Sequence, residues 1–139
     1  MYTKAKNRKL LVIPFLLSIT LIVLGCSTSS FKESLHTTLE LKELNAKFTL
    51  INGSSETKVL DFTSGCQYGY TVETNGKKIY EWPFACTDAL SKISLNPTEK
   101  IVFEFSLKDR VDLKSGAYKL KAFIYEHNEL NNEVAFGVR

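Results

Sequence analysis

Three cysteines and two histidines are the side chains of this sequence with the greatest capacity for chemistry. Cys26 follows an apolar segment near the amino terminus, and Cys66 and Cys86 lie in the middle of the chain. Thiols can carry a lipid, form a disulfide, bind a metal or act as nucleophiles. His36 and His127 lie in neither a recognisable zinc motif nor a nucleophile–base context. The chemistry of the sequence therefore depends on what its cysteines do.

No motif of a catalytic site is present. Gly-x-Ser-x-Gly, His-Glu-x-x-His and glycine-rich phosphate-binding loops do not occur in the 139 residues. Residues 126–133 (EHNELNNE) are rich in acids and asparagine, but their spacing does not match an EF-hand, and we interpret them as a solvated hairpin turn. Because an enzyme needs a convergent set of polar groups, we expect a protein that is not an enzyme and holds no metal or cofactor.

The first 25 residues have the order of a bacterial export signal. Basic residues occupy positions 4, 6, 8 and 9, and the uncharged run 10–24 (LLVIPFLLSITLIVL) follows them. This run of 15 residues fits a signal peptide and is shorter than the roughly 20 residues of a membrane-spanning helix. The end of this run and the two residues after it, 23–26 (VLGC), resemble the lipobox of bacterial lipoproteins.

The lipobox resemblance implies cleavage before Cys26 and attachment of a diacylglycerol to its sulfur. The expected organisation is then a signal peptide over 1–25, a lipidated tether over 26–34 and a folded domain over 35–139. Such a protein is exported and anchored through Cys26 at the bacterial cell envelope, on the outer face of the cytoplasmic membrane or in the outer membrane. The alternatives are a secretory signal followed by a chance cysteine, and an uncleaved signal anchor.

The positive charge of the chain belongs to its first 25 residues. The formal net charge is +3, and four of the 18 basic residues lie in that segment, which has no acid. The rest of the chain therefore has 14 basic and 15 acidic residues, a net charge of −1. Nucleic acid is not expected as a partner of the folded part.

Cys66 and Cys86 are the remaining thiols. In an exported domain they are expected to form a structural disulfide, which would stabilise the fold by about 3 kcal/mol on the chain-entropy model. A metal site and a reactive thiol are the alternatives. No histidine lies near them in the sequence, which makes zinc the weaker of the three interpretations.

Most of the chain after the tether alternates apolar and polar residues with a period of two. This pattern is typical of strands with one buried face. It predicts eight or nine short strands, over residues 35–41, 48–50, 60–62, 68–72, 77–82, 93–95, 101–107, 118–124 and 134–138.

Turn signals separate nearly all of these strands. Asn75-Gly76 predicts a tight hairpin and Asn96-Pro97 a second turn. Residues 113–118 (LKSGAY) resemble the tyrosine corner of Greek-key sandwiches, with Tyr118 as its phenol; a turn followed by an interior tyrosine is the alternative. The sequence predicts an all-β, immunoglobulin-like antiparallel β-sandwich of about eight strands.

The order of aromatic residues, turns and small residues over roughly residues 37–125 resembles the BsuPI-type intracellular proteinase-inhibitor family. The residues that carry the resemblance are Phe62, Ser64, Gly65, Tyr68, Tyr70, Asn75-Gly76, Tyr80, Trp82, Phe84, Ala89-Leu90, Ile93, Leu95, Pro97, Leu113, Gly116 and Tyr118. The resemblance implies an immunoglobulin-like sandwich, in agreement with the strand pattern. Cys66 departs from the family, which more often has a polar residue there, and an export signal departs from an intracellular location.

Two functions are consistent with these features. The first is a non-catalytic protein-binding module at the cell envelope. The second is an inhibitor of a subtilisin-type serine protease that acts through a rigid loop, for which Tyr80, Trp82, Pro83 and Phe84 are the candidate residues. The competing interpretation of Trp82 and Phe84 is that both cap the hydrophobic core.

Overall fold

Nine antiparallel strands make up the regular structure of the protein. The computed structural model describes residues 34–108 and 110–139, so Cys26 and the expected signal peptide lie outside the described residues. The strands are β1 (Leu35–Lys42), β2 (Asn45–Asn52), β3 (Lys58–Phe62), β4 (Tyr68–Thr74), β5 (Lys77–Trp82), β6 (Ser91–Leu95), β7 (Lys100–Ser106), β8 (Gly116–Ile124) and β9 (His127–Val138). The all-β prediction is confirmed, and no described residue lies in a helix.

The strands form two main sheets and a separate ribbon. One sheet has the order β1-β2-β7, the other has the order β5-β4-β8-β9, and β3 pairs with β6. Tyr68 and Tyr70 on β4 stack on Phe103 and Phe105 on β7, so the two main sheets face each other across the core. This is the predicted sandwich arrangement.

The β3–β6 ribbon joins the two sheets at one end of the sandwich. Near the start of β3, the side chain of Asn52 at the end of β2 donates to the carbonyl of Leu95 on β6. Near the end of β3, the ring of Phe62 packs edge-on against His127 at the start of β9. We call this end, which also carries Ser34, Trp82 and the turn after β8, the proximal end.

The core is formed by the inward side chains of all three sheets. Its fully buried members include Phe48, Leu50, Tyr70, Leu95 and Leu120. β4 is buried on both faces, because the outer face at Gly69 is covered by Phe123 and Tyr125. A Cβ atom on Gly69 would lie 2.9 Å from each of those rings and from the carbonyl of Trp82, so this strand position requires glycine.

The predicted turns are largely confirmed. Asn75 and Gly76 both have positive φ, at 50° and 73°, as a type I′ hairpin requires. The Tyr118 hydroxyl donates to the carbonyl of Lys114 at 2.8 Å, which is the bond expected of a tyrosine corner.

The interpretation of residues 126–133 as a solvated turn is wrong. Only Tyr125 and Glu126 form the turn, and β9 begins at His127. This segment pairs with β8 as part of β9, and some of its polar side chains form hydrogen bonds to other strands. The Asn132 amide, for example, donates to the carbonyl of Thr37 on β1 at 3.0 Å.

Candidate functional site

A cluster of aromatic rings fills the space between β4, β5 and β7 near the proximal end. The ring centroids of Tyr70 and Phe105 are 4.0 Å apart, and those of Tyr68 and Phe103 are 4.2 Å apart. Trp82 completes the cluster, 5.0 Å from Tyr68 and 5.7 Å from Tyr70. The period-two alternation of β4 and β7 points these rings inward, and the stacked rings pack beside the loop that follows β5.

Burial dominates the electrostatics of this cluster. Burial, with a smaller contribution from Tyr80, raises the pKa of Tyr70 to about 12, and burial also raises the pKa of Tyr68. The Tyr70 hydroxyl has no hydrogen-bond partner among the described residues. The Arg110 guanidinium lies 5.6 Å from the centroid of the Trp82 ring, a cation–π distance. Burial therefore favours the protonated form of both phenols, and the cluster packs beside the start of the loop.

Phe84 leaves this cluster and lies in solvent. It is 79% exposed, and its ring packs edge-on against Tyr80 at 5.4 Å. Trp82 and Tyr80 are half-buried. The interpretation that Trp82 and Phe84 both cap the core is therefore correct for Trp82 and wrong for Phe84.

The connection between β5 and β6, residues 83–90, is an exposed loop. Pro83 follows Trp82 through a cis peptide bond, and every residue from Phe84 to Leu90 is exposed. Leu90 is 81% exposed and was not among the residues that the sequence singled out for interaction. Its exposure could not be read from the sequence, where Ala89-Leu90 has the composition of a core segment.

The middle of the 83–90 loop is tied to the segment before β4. Cys86 forms the predicted disulfide with Cys66, with Cα atoms 5.4 Å apart. The Gly65 amide donates to the carbonyl of Thr87 at 3.0 Å. A Cβ atom on Gly65 would overlap the Thr87 hydroxyl, so any other residue there would require the Thr87 side chain to move.

The end of the loop is fixed as well. The Ser91 hydroxyl donates to the carbonyl of Ser64 at 2.7 Å, and Ser91 pairs with Phe62 at the start of β6. Between the loop and the aromatic cluster lies an open groove of about 310 Å³, lined by Tyr68, Trp82, Phe103, Pro83, Ala85, the disulfide and its neighbours. The loop is thus attached to the domain at its start, its middle and its end, while its large side chains face solvent.

A family model described as "Intracellular proteinase inhibitor", BsuPI, matches residues 31–129 of this chain. The chain belongs to the BsuPI family. The match covers β1 to β8 and the start of β9, and it includes both disulfide cysteines and the whole 83–90 loop. No curated protein sequence matches the chain significantly.

The structure of this BsuPI domain brings together most of the residues that the sequence proposed. Tyr80, Trp82, Pro83 and Phe84 lie in one stretch beside the Cys66–Cys86 disulfide, but Phe84 is the one exposed residue among the four. In residues 34–108 and 110–139, no cluster of three or more His, Cys, Asp or Glu side chains has the arrangement of a metal site. The same part of the chain contains no helix with the length and apolarity to cross a membrane.

The loop of the BsuPI domain lies at the proximal end. Tyr70 pairs with Trp82, and Tyr68 pairs with Ile124, so the loop leaves β5 at the end of the sandwich where β8 turns into β9. Tyr68 stacks on Phe103, and Tyr70 on Phe105, so β4 and β7 run in the same direction. Because β7 and β1 both pair antiparallel with β2, the start of β4 and the starts of β7 and β1 point to the same end of the sandwich. The chain therefore enters the domain at the same end that carries Phe84 and Leu90.

Proposed function

We propose that this BsuPI domain is a non-catalytic protein-binding module and that it inhibits a subtilisin-type serine protease through the 83–90 loop. One observation carries the proposal. The loop exposes two large apolar side chains, Phe84 and Leu90, while the Cys66–Cys86 disulfide holds its middle to the domain.

A protein that blocks a protease cleft must present a loop without a large loss of conformational freedom on binding. Attachment of a loop in advance lowers this ordering cost and so favours affinity. The 83–90 loop has attachments before, within and after its exposed stretch, at Trp82, Cys86 and Ser91. The description of the family as proteinase inhibitors supports the same partner class.

The proposal includes a location at the cell envelope. Residues 1–26 have the order of a lipoprotein signal, and acyl chains on Cys26 would anchor the domain, since each buried CH₂ contributes about 0.8 kcal/mol to membrane binding. A Cys26→Ser variant tests the anchor. It is expected to lose acyl incorporation and to leave the membrane fraction, and unchanged membrane association would contradict lipidation at this residue.

The anchor would also orient the domain. Ser34 lies eight positions after Cys26, and a fully extended chain over that separation spans at most about 29 Å. Ser34 and the 83–90 loop share the proximal end, so the loop would face the membrane side of the domain. A partner would then meet the loop close to the lipid surface.

A protease titration tests the inhibitory function. The full-length, oxidised protein in detergent is added in increasing amounts to subtilisin at a fixed concentration of peptide substrate. We expect a linear loss of activity that ends near one equivalent of the protein. Activity that persists beyond several equivalents would eliminate inhibition of this protease class and leave a binding module with another partner.

Variants connect the result to the loop. Replacement of both Phe84 and Leu90 by Ser should abolish inhibition without unfolding the domain, because both side chains are exposed. Val59→Thr is the matched control, since Val59 is 54% exposed on β3 and lies outside the loop. Trp82 is left intact in both variants because its ring belongs to the aromatic cluster. Equal inhibition by the loop variant and the control would place the interaction elsewhere.

A further inference from the structure

We infer that Phe84 is the specificity-determining side chain of the 83–90 loop and that it fits a protease whose primary pocket accepts a large apolar side chain. This inference rests on the proposed inhibitory function and adds to it the residue that enters the primary pocket of the protease.

The composition of the loop defines the class of pocket. Residues 83–90 (PFACTDAL) contain no lysine or arginine, and Asp88 is their one charged side chain. A pocket built for a basic side chain would find no partner in this loop and would keep its own buried charge unpaired, which is strongly unfavourable. An apolar pocket can be filled by Phe84 or Leu90, the two large exposed side chains of the loop.

The attachments of the loop favour Phe84 over Leu90. Trp82, two residues before Phe84, is fixed in the aromatic cluster, and Cys86, two residues after it, is fixed by the disulfide. The Phe84 ring also rests edge-on against Tyr80, which limits its rotamers before any partner arrives. A residue held in this way loses little entropy when it enters a pocket.

Leu90 has a less favourable setting for the same role. Asp88 lies two residues before it, and a carboxylate carried to the mouth of an apolar pocket would lose hydration without a partner. Leu90 is also followed at once by β6, where Ser91 pairs with Phe62. Its exposed fraction of 81% is nearly that of Phe84 at 79%, so Leu90 provides a matched control for size of exposed surface on the same loop.

The test measures inhibition constants of the full-length, oxidised protein against subtilisin, whose primary pocket is apolar, and trypsin, whose primary pocket is acidic. Wild type should inhibit subtilisin and not trypsin. Phe84→Ala should weaken subtilisin inhibition about 10- to 100-fold, the loss expected for a buried phenylalanine, whereas Phe84→Leu and Leu90→Ala should stay within a few-fold of wild type.

Introduction of a positive charge then provides a gain-of-function measurement, which an unfolded variant could not produce. Phe84→Lys should lose subtilisin inhibition and acquire trypsin inhibition, and Leu90→Lys should acquire none. The inference is overturned, with the inhibitory function intact, if wild type inhibits subtilisin but Leu90→Ala weakens it more than Phe84→Ala, or if Leu90→Lys rather than Phe84→Lys inhibits trypsin. Wild type that inhibits neither protease overturns both the inference and the inhibitory function.

Discussion

Replacement of Asn52 should destabilise the proximal end more than any exposed substitution near it. Asn52 is fully buried at the end of β2. Its amide nitrogen donates to the backbone carbonyls of Glu56, Leu95 and Asn96 at 2.8, 3.0 and 3.1 Å. Its amide oxygen accepts from the amide and the hydroxyl of Ser54 at 3.0 and 2.7 Å. One side chain therefore joins the loop after β2 to the end of β6.

The size of the effect follows from the number of bonds that can form at once. The amide has two N–H groups, so the three carbonyls share two donors, and the oxygen accepts two further bonds. At about 1 kcal/mol for each bond, Asn52→Ala should lower the free energy of unfolding by about 4 kcal/mol. Since small domains have a total of about 5–15 kcal/mol, the variant should lose at least about a quarter of its stability.

Asn52→Asp separates hydrogen bonding from packing. It keeps the volume and the acceptor for Ser54 but places an oxygen where the amide nitrogen donates to the carbonyls of Leu95 and Asn96. Urea unfolding at neutral pH, followed by tryptophan fluorescence, should give a loss for Asn52→Asp at least as large as for Asn52→Ala. Asn128→Asp, at an exposed position, is the control and should be nearly neutral. An Asn52→Asp variant as stable as this control would refute the hydrogen-bond argument.

Three further results are expected. Replacement of Cys66 and Cys86 by Ser should lower the free energy of unfolding by about 3 kcal/mol in urea, and a loss near zero would show that the disulfide does not constrain the unfolded chain. The raised pKa of Tyr70, about 12 against an ordinary 10.0, means that the folded state holds this phenol proton more tightly than the unfolded chain. The contribution of this phenol to the free energy of unfolding should therefore be fully present below pH 10 and should be lost as the pH rises towards 12. Tyr70→Phe should reduce the decline measured by urea unfolding across that range. Insertion of about ten Gly and Ser residues between Cys26 and Ser34 should improve inhibition of a soluble protease by the vesicle-bound protein but not by the detergent-solubilised one. Equal inhibition on vesicles would contradict a loop that faces the membrane.

Local patterns in the sequence were sufficient for the strands, several turns and the family. The alternation along β7 and β8 reflects one buried face per strand, which is a property of neighbouring residues. The positive φ of Asn75-Gly76 is likewise a local requirement. The first hairpin gave no such signal: Glu43 and Leu44 have φ of 51° and 67°, although neither residue is typical of that conformation. Leu44 adopts it in a tertiary setting, since its carbonyl accepts from the Leu107 amide at 2.8 Å.

The candidate loop could be predicted only in part. The sequence placed Trp82 and Phe84 together, and both are aromatic residues two positions apart, so period-two alternation would give them one environment. The strand ends at Trp82, and past that residue the alternation no longer determines burial. The exposure of Leu90 has the same cause. Residues 83–90 do not pair in a sheet, and their position is set by the disulfide and the hydrogen bonds that attach the loop.

The sequence by itself determined that this protein is an all-β BsuPI domain with two cysteines suited to a disulfide, preceded by a segment with the order of a lipoprotein signal. Those conclusions depend on composition, spacing and period, which do not require knowledge of distant contacts. The tertiary structure alone decided that Asn52 joins β2 to residues more than 40 positions away, that Trp82 packs against the core while Phe84 is exposed, and that the loop shares an end with Ser34. The physical reason is that burial and hydrogen bonding at these sites are set by which strands meet in space, and the period of a strand does not specify its partners.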